Sequence, residues 1–223
     1  MELPMSRLHI FASPLDEIAR QFDAQLPGTI ELPAETTEGA GGMAIIEHKG
    51  RRFLKPMDWG FPRFTRESLS GEELPGRIGL VADLTNRMWE QMVVDPRYRC
   101  IIPISHFANP DGAAGRKTRT WFSVKGQPVM AWAGFCRNII DYGPVYAGMT
   151  MTANPAVMPT NDRMPVLLDP HEYQRWFQGS IQDVIAFQFR EPFGESRMEV
   201  ERTEDLWRSG TLPISGQPQL SFI

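Results

Sequence analysis

Apolar positions along the chain mostly form short continuous or alternating runs, which are typical of strands, and helical spacing is confined to three stretches. Strands are predicted in MAIIEHKGRRFLKPMDWGF with a turn at Lys49-Gly50, RIGLVADL, RYRCIIPISHFAN, TWFSVKGQPVMAWAGFCRNI with a turn at Lys125-Gly126, and GPVYAGMTMT. The stretch PRFTRESLSGEELPGR predicts a long surface excursion. Strands in succession with a few peripheral helices indicate an α+β fold with a mixed, largely antiparallel, barrel-like sheet.

Start and stop signals define the three helical stretches. Ser13, which is followed by proline, is a predicted N-cap, and the first helix is expected to end at Gly28. Asp169 opens the second helix with a glutamate placed for a capping box, and Gly179 ends it. Ser180 is the predicted cap of the third helix.

The stretch TNDRMPVLL joins a charge pair to an apolar run. The run that begins at Met164 predicts a buried strand, but Asp162 and Arg163 stand directly before it and Pro165 lies inside it. Proline is tolerated where a strand forms a sheet edge. The pattern therefore predicts either a loop that closes onto an edge strand or the polar wall of a functional site.

The size and composition are those of an ordinary globular protein. The chain has 223 residues, of which 42% are hydrophobic and 22% charged. We expect a single domain over residues 1–223, with a core at about 5–190 and a polar C-terminal extension at about 191–223 that packs loosely from about Phe193. No apolar run approaches the roughly 18 residues of a membrane span, and no secretory signal is evident, so the cytoplasm is the expected location.

Charge is distributed unevenly along the chain. The net charge is −4, yet residues 47–66 carry six Lys or Arg against two acids, and residues 169–205 carry nine acids against four Arg. A basic face is therefore possible despite the acidic total, although solvated faces explain the same counts more simply.

The cysteines and histidines do not form a recognisable metal motif. Cys100 and Cys136 lie in apolar stretches and are predicted to be buried thiols in a reducing compartment. The four histidines are scattered without CxxC or HxxxH spacing, so neither a metal nor another cofactor is expected. His106, beside Ser105, is more typical of a half-buried polar residue than of a catalytic base.

Trp59 lies between two cations in the sequence, Lys55 and Arg63. An exposed aromatic ring among cations is typical of a platform on which the bases of single-stranded nucleic acid stack. A buried ring would instead belong to the core. Composition alone leaves both interpretations open.

Four segments, in order, resemble the SOS-response-associated peptidase (SRAP) family, whose members process abasic sites in single-stranded DNA. The segments are LKPMDWGFP, LTNRMW, RCIIPISHFAN and TANPAVMPTNDRMPVLL. GQPVMAWAGF and HEYQRWFQG fit the intervening strand and the following tryptophan-containing helix of that family. The resemblance covers about residues 5–190, and the order of the segments is more specific than any one of them.

The resemblance implies a particular covalent chemistry. SRAP proteins expose a cysteine as their first residue, and its amine and thiol trap the aldehyde of a ring-opened abasic sugar in a stable cross-link. An asparagine positions this N-terminus, a glutamate and a histidine transfer protons, and arginine and tryptophan side chains hold the DNA strand.

Three of the reactive groups that the resemblance implies are missing from this chain. Position two is Glu2, and in a second register, which starts at Met5, the cysteine position is Ser6. The glutamate of the family falls on Asn109 and its histidine on Asn161. An amide exchanges no proton at neutral pH, so general acid–base catalysis is absent from both positions. We expect the two asparagines to line the same cleft.

Other residues of the family pattern are retained. Asn86 and Arg87 match its Asn-x-Arg turn, with one residue lost, and Asn86 is the site-equivalent of the positioning asparagine. The expected DNA-binding side chains are one aromatic ring and four cations: Trp59, Lys55, Arg63, Arg87 and Arg163.

Three hypotheses follow for function. The favoured one is a SRAP-like protein that binds single-stranded or abasic DNA without the cross-linking chemistry. The first alternative is an active enzyme in which processing exposes the amine of Ser6 for a Schiff base with the abasic site. The second is a non-enzymatic module whose acidic C-terminal part binds a protein partner. The oligomeric state stays open.

Overall fold

The computed structural model of the chain describes residues 8–26, 28, 31–66 and 73–213. Glu2 and Ser6, the two candidates for the cysteine position, lie outside the described residues. The strands are β1 (Leu8–Ile10), β2 (Ala24–Gln25), β3 (Thr36–Thr37), β4 (Gly41–His48), β5 (Arg51–Trp59), β6 (Phe61–Arg66), β7 (Glu73–Ile78), β8 (Leu80–Val81), β9 (Arg99–Ile104), β10 (His106–Asp111), β11 (Thr118–Val124), β12 (Met130–Ile139), β13 (Gly143–Thr152), β14 (Arg163–Pro165), β15 (Leu167–Leu168) and β16 (Met198–Leu206). The helices are α1 (Leu15–Phe22), α2 (Glu90–Val94), α3 (Tyr173–Gln178) and α4 (Ile181–Phe189), with short 3₁₀ turns at Arg87–Trp89, Pro96–Tyr98, Pro170–Glu172 and Glu195–Arg197.

Five long strands close into a barrel. β5 pairs with β4, β4 with β9, β9 with β12 and β12 with β13, all antiparallel. β13 then returns to β5 through a parallel contact that sets Val145 beside Asp58 and Tyr146 beside Trp59. A closed ring leaves these strands without a free edge. The mixed, largely antiparallel and barrel-like sheet that the sequence predicts is therefore confirmed.

A second sheet, in the order β16-β11-β10-β1-β3, lies against the barrel. The two sheets share one continuous segment, because β9 of the barrel runs into β10 of the second sheet through Ser105. The backbone amide of Ser105 donates to the carbonyl oxygen of Ile10 at 2.9 Å, and its hydroxyl donates to the same oxygen at 3.1 Å. This crossing fixes β1 and β10 against the barrel.

The C-terminal segment is a strand rather than a loosely packed extension. β16 pairs with β11 in register from Val124↔Met198 to Thr118↔Leu206, with one irregularity. The prediction of loose packing from about residue 193 is therefore wrong over this strand. β16 is an edge strand with one face in solvent, and such strands are polar at every second position.

The strand after the turn at Asp162-Arg163 is split between two partners. β14 pairs with β13, whereas β15 pairs with β12. Val166 lies between them, and its amide donates to the carbonyl oxygen of Met149. Proline carries no N–H, so Pro165 suits the position at which the chain leaves one partner for the next.

Local signals located two of the three helices. The amide of Asp169 donates to the Glu172 carboxylate at 2.9 Å, and the amide of Asp183 donates to the Ser180 hydroxyl at 3.2 Å, so both predicted helix starts are confirmed. The prediction that the first helix extends to Gly28 is wrong. It ends at Phe22, since the next residue takes a left-handed conformation and the chain then pairs with β5 as β2.

The predicted surface excursion contains a hairpin. β6 and β7 pair in register from Phe61↔Ile78 to Arg66↔Glu73, as a two-stranded sheet separate from the other two. The sequences of β6 and β7 lack a regular alternation of apolar and polar residues, which is why the hydrophobic pattern did not reveal the hairpin.

Cys100 and Cys136 are both buried and unbridged, as the sequence predicts. The carbonyl oxygen of Cys100 accepts a hydrogen bond from Nε1 of Trp176 at 2.8 Å, which fixes α3 against the barrel. Arg99 is 1% exposed, and its guanidinium donates to the carbonyl oxygens of Trp176 and Gly179 at the end of α3. None of the helices in the described part of the chain is long and apolar enough to cross a membrane.

Candidate functional site

A cavity of about 20 Å³ lies where the second sheet meets the barrel. β1 and β10 form one side of it, and β5, β8, β12, β13 and β14 contribute the rest. Its described lining combines large apolar side chains with four polar ones: Leu8, His9, Trp59, Leu80, Phe107, Ala108, Asn109, Trp132, Thr150, Arg163 and Pro165. A volume of this size holds about one water molecule or one oxygen atom of a ligand.

Asn109, at the β10 wall, is tied to the turn that carries Asn161. Its amide Nδ2 donates to Oγ1 of Thr160 at 3.1 Å. Asn161 follows Thr160 directly, and its Oδ1 accepts from the backbone amide of Arg163 at 2.9 Å. The two asparagines, 2% and 6% exposed, therefore lie on segments that contact each other. Only Asn109 is part of the cavity lining among the described residues.

Arg163 braces the backbone around the cavity. Its Nη2 donates to the carbonyl oxygens of Thr150 at 2.6 Å and Ala82 at 3.0 Å, and its Nε donates to the Thr150 hydroxyl at 3.3 Å. Partial burial lowers the pKa of the guanidinium from its usual value, although the group stays charged at neutral pH. Nη1 forms no hydrogen bond with the part of the chain that the structure describes. One edge of the guanidinium is therefore available to a ligand.

Trp59 belongs to the core rather than to an exposed surface. The ring is 0% exposed, and its Nε1 donates to the carbonyl oxygen of Gly79 at 2.8 Å. Its centroid lies 6.0 Å from that of Trp132 and 6.5 Å from that of Tyr146. The parallel contact of β5 with β13 sets Trp59 beside Tyr146 in the core. Trp59 therefore does not form a stacking platform on the protein surface, although it lines the cavity.

Glycines make room for two of the aromatic rings around the cavity. A Cβ atom at Gly42 would lie 2.3 Å from the hydroxyl oxygen of Tyr146. A Cβ atom at Gly148 would lie 1.9 Å from the Trp132 ring. Both distances are far below van der Waals contact, so the ring positions depend on the absence of a side chain at these two sites.

His9 is the site residue that the sequence analysis missed. Its ring is 0% exposed, lies 4.7 Å from the Trp59 ring between centroids, and has its Nε2 2.9 Å from the hydroxyl oxygen of Tyr146. Burial lowers the pKa of His9 to about 3 and raises the pKa of Tyr146 well above its usual value, so both groups are neutral at pH 7. A polar residue inside the apolar strand LHI was the only sequence signal.

The sequence model of the SOS response associated peptidase (SRAP) family matches residues 6–205. The chain belongs to this family. A search of curated proteins found no match.

Solved structures share the SRAP fold seen here. A protein from Bordetella bronchiseptica superposes with a TM-score of 0.71 at 18% identity, over 89% of this chain and 99% of the other. A protein from Bacteroides thetaiotaomicron superposes with a TM-score of 0.67 at 14% identity, over 87% of this chain and 90% of the other. A phage-related protein from B. bronchiseptica superposes with a TM-score of 0.62 at 13% identity, over 89% of this chain and 93% of the other. Identities this low establish the fold alone.

Asn86, matched to the positioning asparagine of SRAP proteins, has a local structural role. Its Oδ1 accepts from the backbone amide of Met88 at 3.0 Å and so caps the 3₁₀ turn that follows. Asn86 is exposed and is not part of the described cavity lining. The fold therefore does not bring it together with Asn109 in this lining.

The remaining cations that the sequence predicts for DNA binding lie on the surface. Lys55, Arg63 and Arg87 are all exposed, and none of them is part of the described cavity lining. The ammonium of Lys55 lies 5.8 Å from the centroid of the Phe53 ring. These side chains are free to contact a polyanion outside the cavity but not a group inside it.

No metal site is formed in the described part of this SRAP protein, where no group of three or more His, Cys, Asp or Glu side chains is positioned to hold an ion. Burial raises the pKa of the Cys100 thiol well above its usual value, which makes it a poor nucleophile. Burial also lowers the pKa of His106, which lies in the second sheet and outside the described cavity lining.

Proposed function

We propose that this SRAP protein binds single-stranded DNA, including DNA with an abasic site, without the covalent cross-link made by SRAP proteins that expose an N-terminal cysteine. The observation that carries the proposal is the hydrogen bond from Asn109 to Thr160. At the position matched to the SRAP glutamate, a neutral amide is held as a hydrogen-bond donor. A carboxylate could only accept there, so the local structure is adapted to an amide.

The titratable side chains of the cavity support a role in binding rather than in proton transfer. Its described lining contains no carboxylate, and its titratable groups are His9 and Arg163. A general acid or base is effective when its pKa lies near the working pH. The pKa of His9 is about 3 and arginine remains protonated, so neither is matched to proton transfer at pH 7.

The exposed cations supply the expected contacts with the DNA backbone. Lys55 and Arg63 flank the SRAP-matched Trp59 in the sequence, Arg87 belongs to the matched Asn-x-Arg turn, and all three are exposed. Binding through such side chains releases counterions from the nucleic acid and therefore weakens as salt increases. Salt-sensitive affinity for a single strand is the property that this proposal requires.

The deciding experiment is a paired gel assay with the full-length chain and a single-stranded oligonucleotide that contains one abasic site. We expect no band that survives denaturation, and a native-gel shift that fades as salt rises. An otherwise identical oligonucleotide without the abasic site measures the preference for damage. Absence of both the band and the shift at low ionic strength would refute the proposal and direct the search to protein partners.

A second candidate function is a Schiff base between the abasic aldehyde and the amine of Ser6. It is favoured by one observation: the match to the SRAP family begins at this residue. The test is borohydride trapping with a chain whose first residue is Ser6. A reduced adduct on the N-terminal peptide would support it, and an unmodified peptide would exclude it.

A further inference from the structure

His9 and Tyr146 form a buried pair on the wall of the cavity. Both are 0% exposed, and the only hydrogen bond of either side chain with the described residues is the 2.9 Å contact between Nε2 and the hydroxyl oxygen. The other ring nitrogen of His9, Nδ1, is buried and has no hydrogen-bond partner among the described residues. A buried polar atom without a partner is uncommon and calls for an explanation.

The hydrogen atoms of this pair have two possible arrangements. If Nε2–H of His9 donates to Tyr146, the tyrosine hydroxyl hydrogen has no acceptor in the described structure and Nδ1 is a bare acceptor. If the Tyr146 hydroxyl donates to Nε2, the histidine hydrogen must reside on Nδ1, because a neutral imidazole carries one. The second arrangement leaves one unpaired donor rather than an unpaired donor and an unpaired nitrogen. It is therefore the more stable one.

His9, which carries this Nδ1–H group, lines a cavity with a volume of about one oxygen atom. Trp59, Trp132 and Phe107 also line it, and a volume of this size admits a single hydroxyl or carbonyl oxygen but not the several oxygens of a carboxylate or phosphate. The carbonyl oxygen of the Asn109 amide and Nη1 of Arg163 have no hydrogen bonds within the described structure and can serve as further polar contacts.

We propose that the Nδ1–H group of His9, set by the Tyr146 hydroxyl, is a specificity-determining donor that binds one uncharged acceptor oxygen of the ligand. The oxygen belongs to a hydroxyl or carbonyl group. The identity of this oxygen rests on the proposed function: it is the oxygen on C1′ of an abasic sugar. An intact nucleotide carries a base at this carbon, and a base is far larger than the cavity.

The arrangement of hydrogens is tested first and without DNA. Nitrogen NMR of the histidine side chains of the full-length chain distinguishes a protonated Nδ1 from a protonated Nε2. We expect His9 to be neutral at pH 7 with its hydrogen on Nδ1, and Tyr146→Phe to remove this preference. A hydrogen on Nε2 of the wild-type protein would overturn the proposal, whatever the variants do.

Recognition of the oxygen is tested with two oligonucleotides. One contains a true abasic site, and the other contains tetrahydrofuran, which lacks the oxygen on C1′. We expect the wild-type protein to bind the first about 5- to 30-fold more tightly in a non-covalent assay, as one lost hydrogen bond predicts. Equal affinity for the two would overturn the proposal while leaving DNA binding intact. Binding of neither would refute the proposed function itself, and the NMR result would still decide the state of His9.

Matched variants locate the effect at one ring nitrogen. The side-chain amide of His9→Asn lies near the position of Nδ1, whereas that of His9→Gln reaches toward Nε2. We expect the asparagine variant to keep part of the preference for the true abasic site and the glutamine variant to lose it. Thermal melts show whether both variants are folded before their affinities are compared. A preference unchanged in the glutamine variant would exclude His9 as its source.

Discussion

The amide Nδ2 of Asn109 donates to the hydroxyl Oγ1 of Thr160 at 3.1 Å, across 51 positions of sequence. The bond joins β10 of the second sheet to the turn that leads into β14. Both strands contribute residues to the cavity lining. A side chain at the position matched to the SRAP glutamate therefore has a defined structural partner, and its removal has a measurable cost.

We expect Thr160→Val to lower the free energy of unfolding by about 1–3 kcal/mol, because it leaves the buried amide of Asn109 without an acceptor. Thr160→Ser is the matched control, since it keeps the hydroxyl and removes one methyl group, at a cost of about 0.8 kcal/mol or less. Urea denaturation at pH 7 measures both. Equal losses in the two variants would show that this hydrogen bond contributes little.

Two adjacent glycines of β4 provide a second matched pair. We expect Gly42→Ala to lower the free energy of unfolding by about 1–3 kcal/mol, because the new Cβ atom would overlap the Tyr146 hydroxyl, 2.3 Å away. Gly41→Ala has nothing within 4 Å of its Cβ atom and should stay within about 0.5 kcal/mol of the wild type. Urea midpoints decide the matter, and similar values for the two variants would contradict the close packing of Tyr146.

The buried neutral His9 predicts a stability that depends on pH. Its pKa is about 3 in the folded protein and 6.5 in the unfolded chain, so between these values the unfolded chain binds the additional proton. Stability therefore falls as pH decreases through this window, by about 1.4 kcal/mol for each pH unit. Above pH 6.5 the effect is absent.

The measurement is urea denaturation of the wild type and of His9→Gln at several pH values from 8 to 5. We expect a shallower pH dependence in the variant, because glutamine does not titrate. Parallel curves for the two proteins would mean that His9 is protonated with a nearly normal pKa in the folded state. The range above pH 5 also limits the contribution of carboxyl groups.

Substitutions at Trp59 and Arg87 should affect different properties: stability at Trp59 and DNA affinity at Arg87. We expect Trp59→Phe to lower the free energy of unfolding by about 2 kcal/mol, because it leaves a cavity and removes the hydrogen bond to Gly79. It should not alter the salt dependence of binding to single-stranded DNA, since it removes no charge.

Arg87→Ala should instead weaken binding and reduce the slope of log affinity against log salt by about 0.7, the contribution of one phosphate contact on a single strand. Arg20→Ala is the control, because Arg20 is a comparably exposed cation that pairs with Asp16 on α1. Fluorescence anisotropy at several salt concentrations measures all three variants. An equal change in slope for Arg87→Ala and Arg20→Ala would remove Arg87 from the DNA surface.

Restoring the missing groups should restore covalent chemistry. In a chain that begins at Met5, we expect the combined variant Ser6→Cys, Asn109→Glu and Asn161→His to form a band with abasic single-stranded DNA that survives denaturation. Burial at the position of Asn109, which is 2% exposed, would raise the pKa of a carboxyl toward neutral pH, as general acid–base work requires. The same chain without the three changes is the control. A combined variant that folds but gives no band would show that another feature prevents the reaction.

Local physical chemistry is what the sequence by itself determined. Capping boxes at Asp169 and Ser180 require only residues three positions apart, and both are present. The turn at Lys49-Gly50 joins β4 to β5, with positive φ angles of 51° and 72° at its two central residues. The succession of strands indicated the barrel-like sheet, and the ordered segments indicated the SRAP family, while the site residues carried over from that family remain predictions.

Contacts between distant residues are what only the tertiary structure decided. The parallel contact of β13 with β5 closes the barrel and buries Trp59, although composition allowed an exposed ring. The packing of the second sheet against the barrel brings His9 to Tyr146, 137 positions away, and makes an isolated histidine part of the cavity wall. Hydrophobic periodicity reports which face of a strand is buried but not which strand lies beside it. For this reason the sequence located the candidate amides and cations, and only the fold revealed the His9–Tyr146 pair.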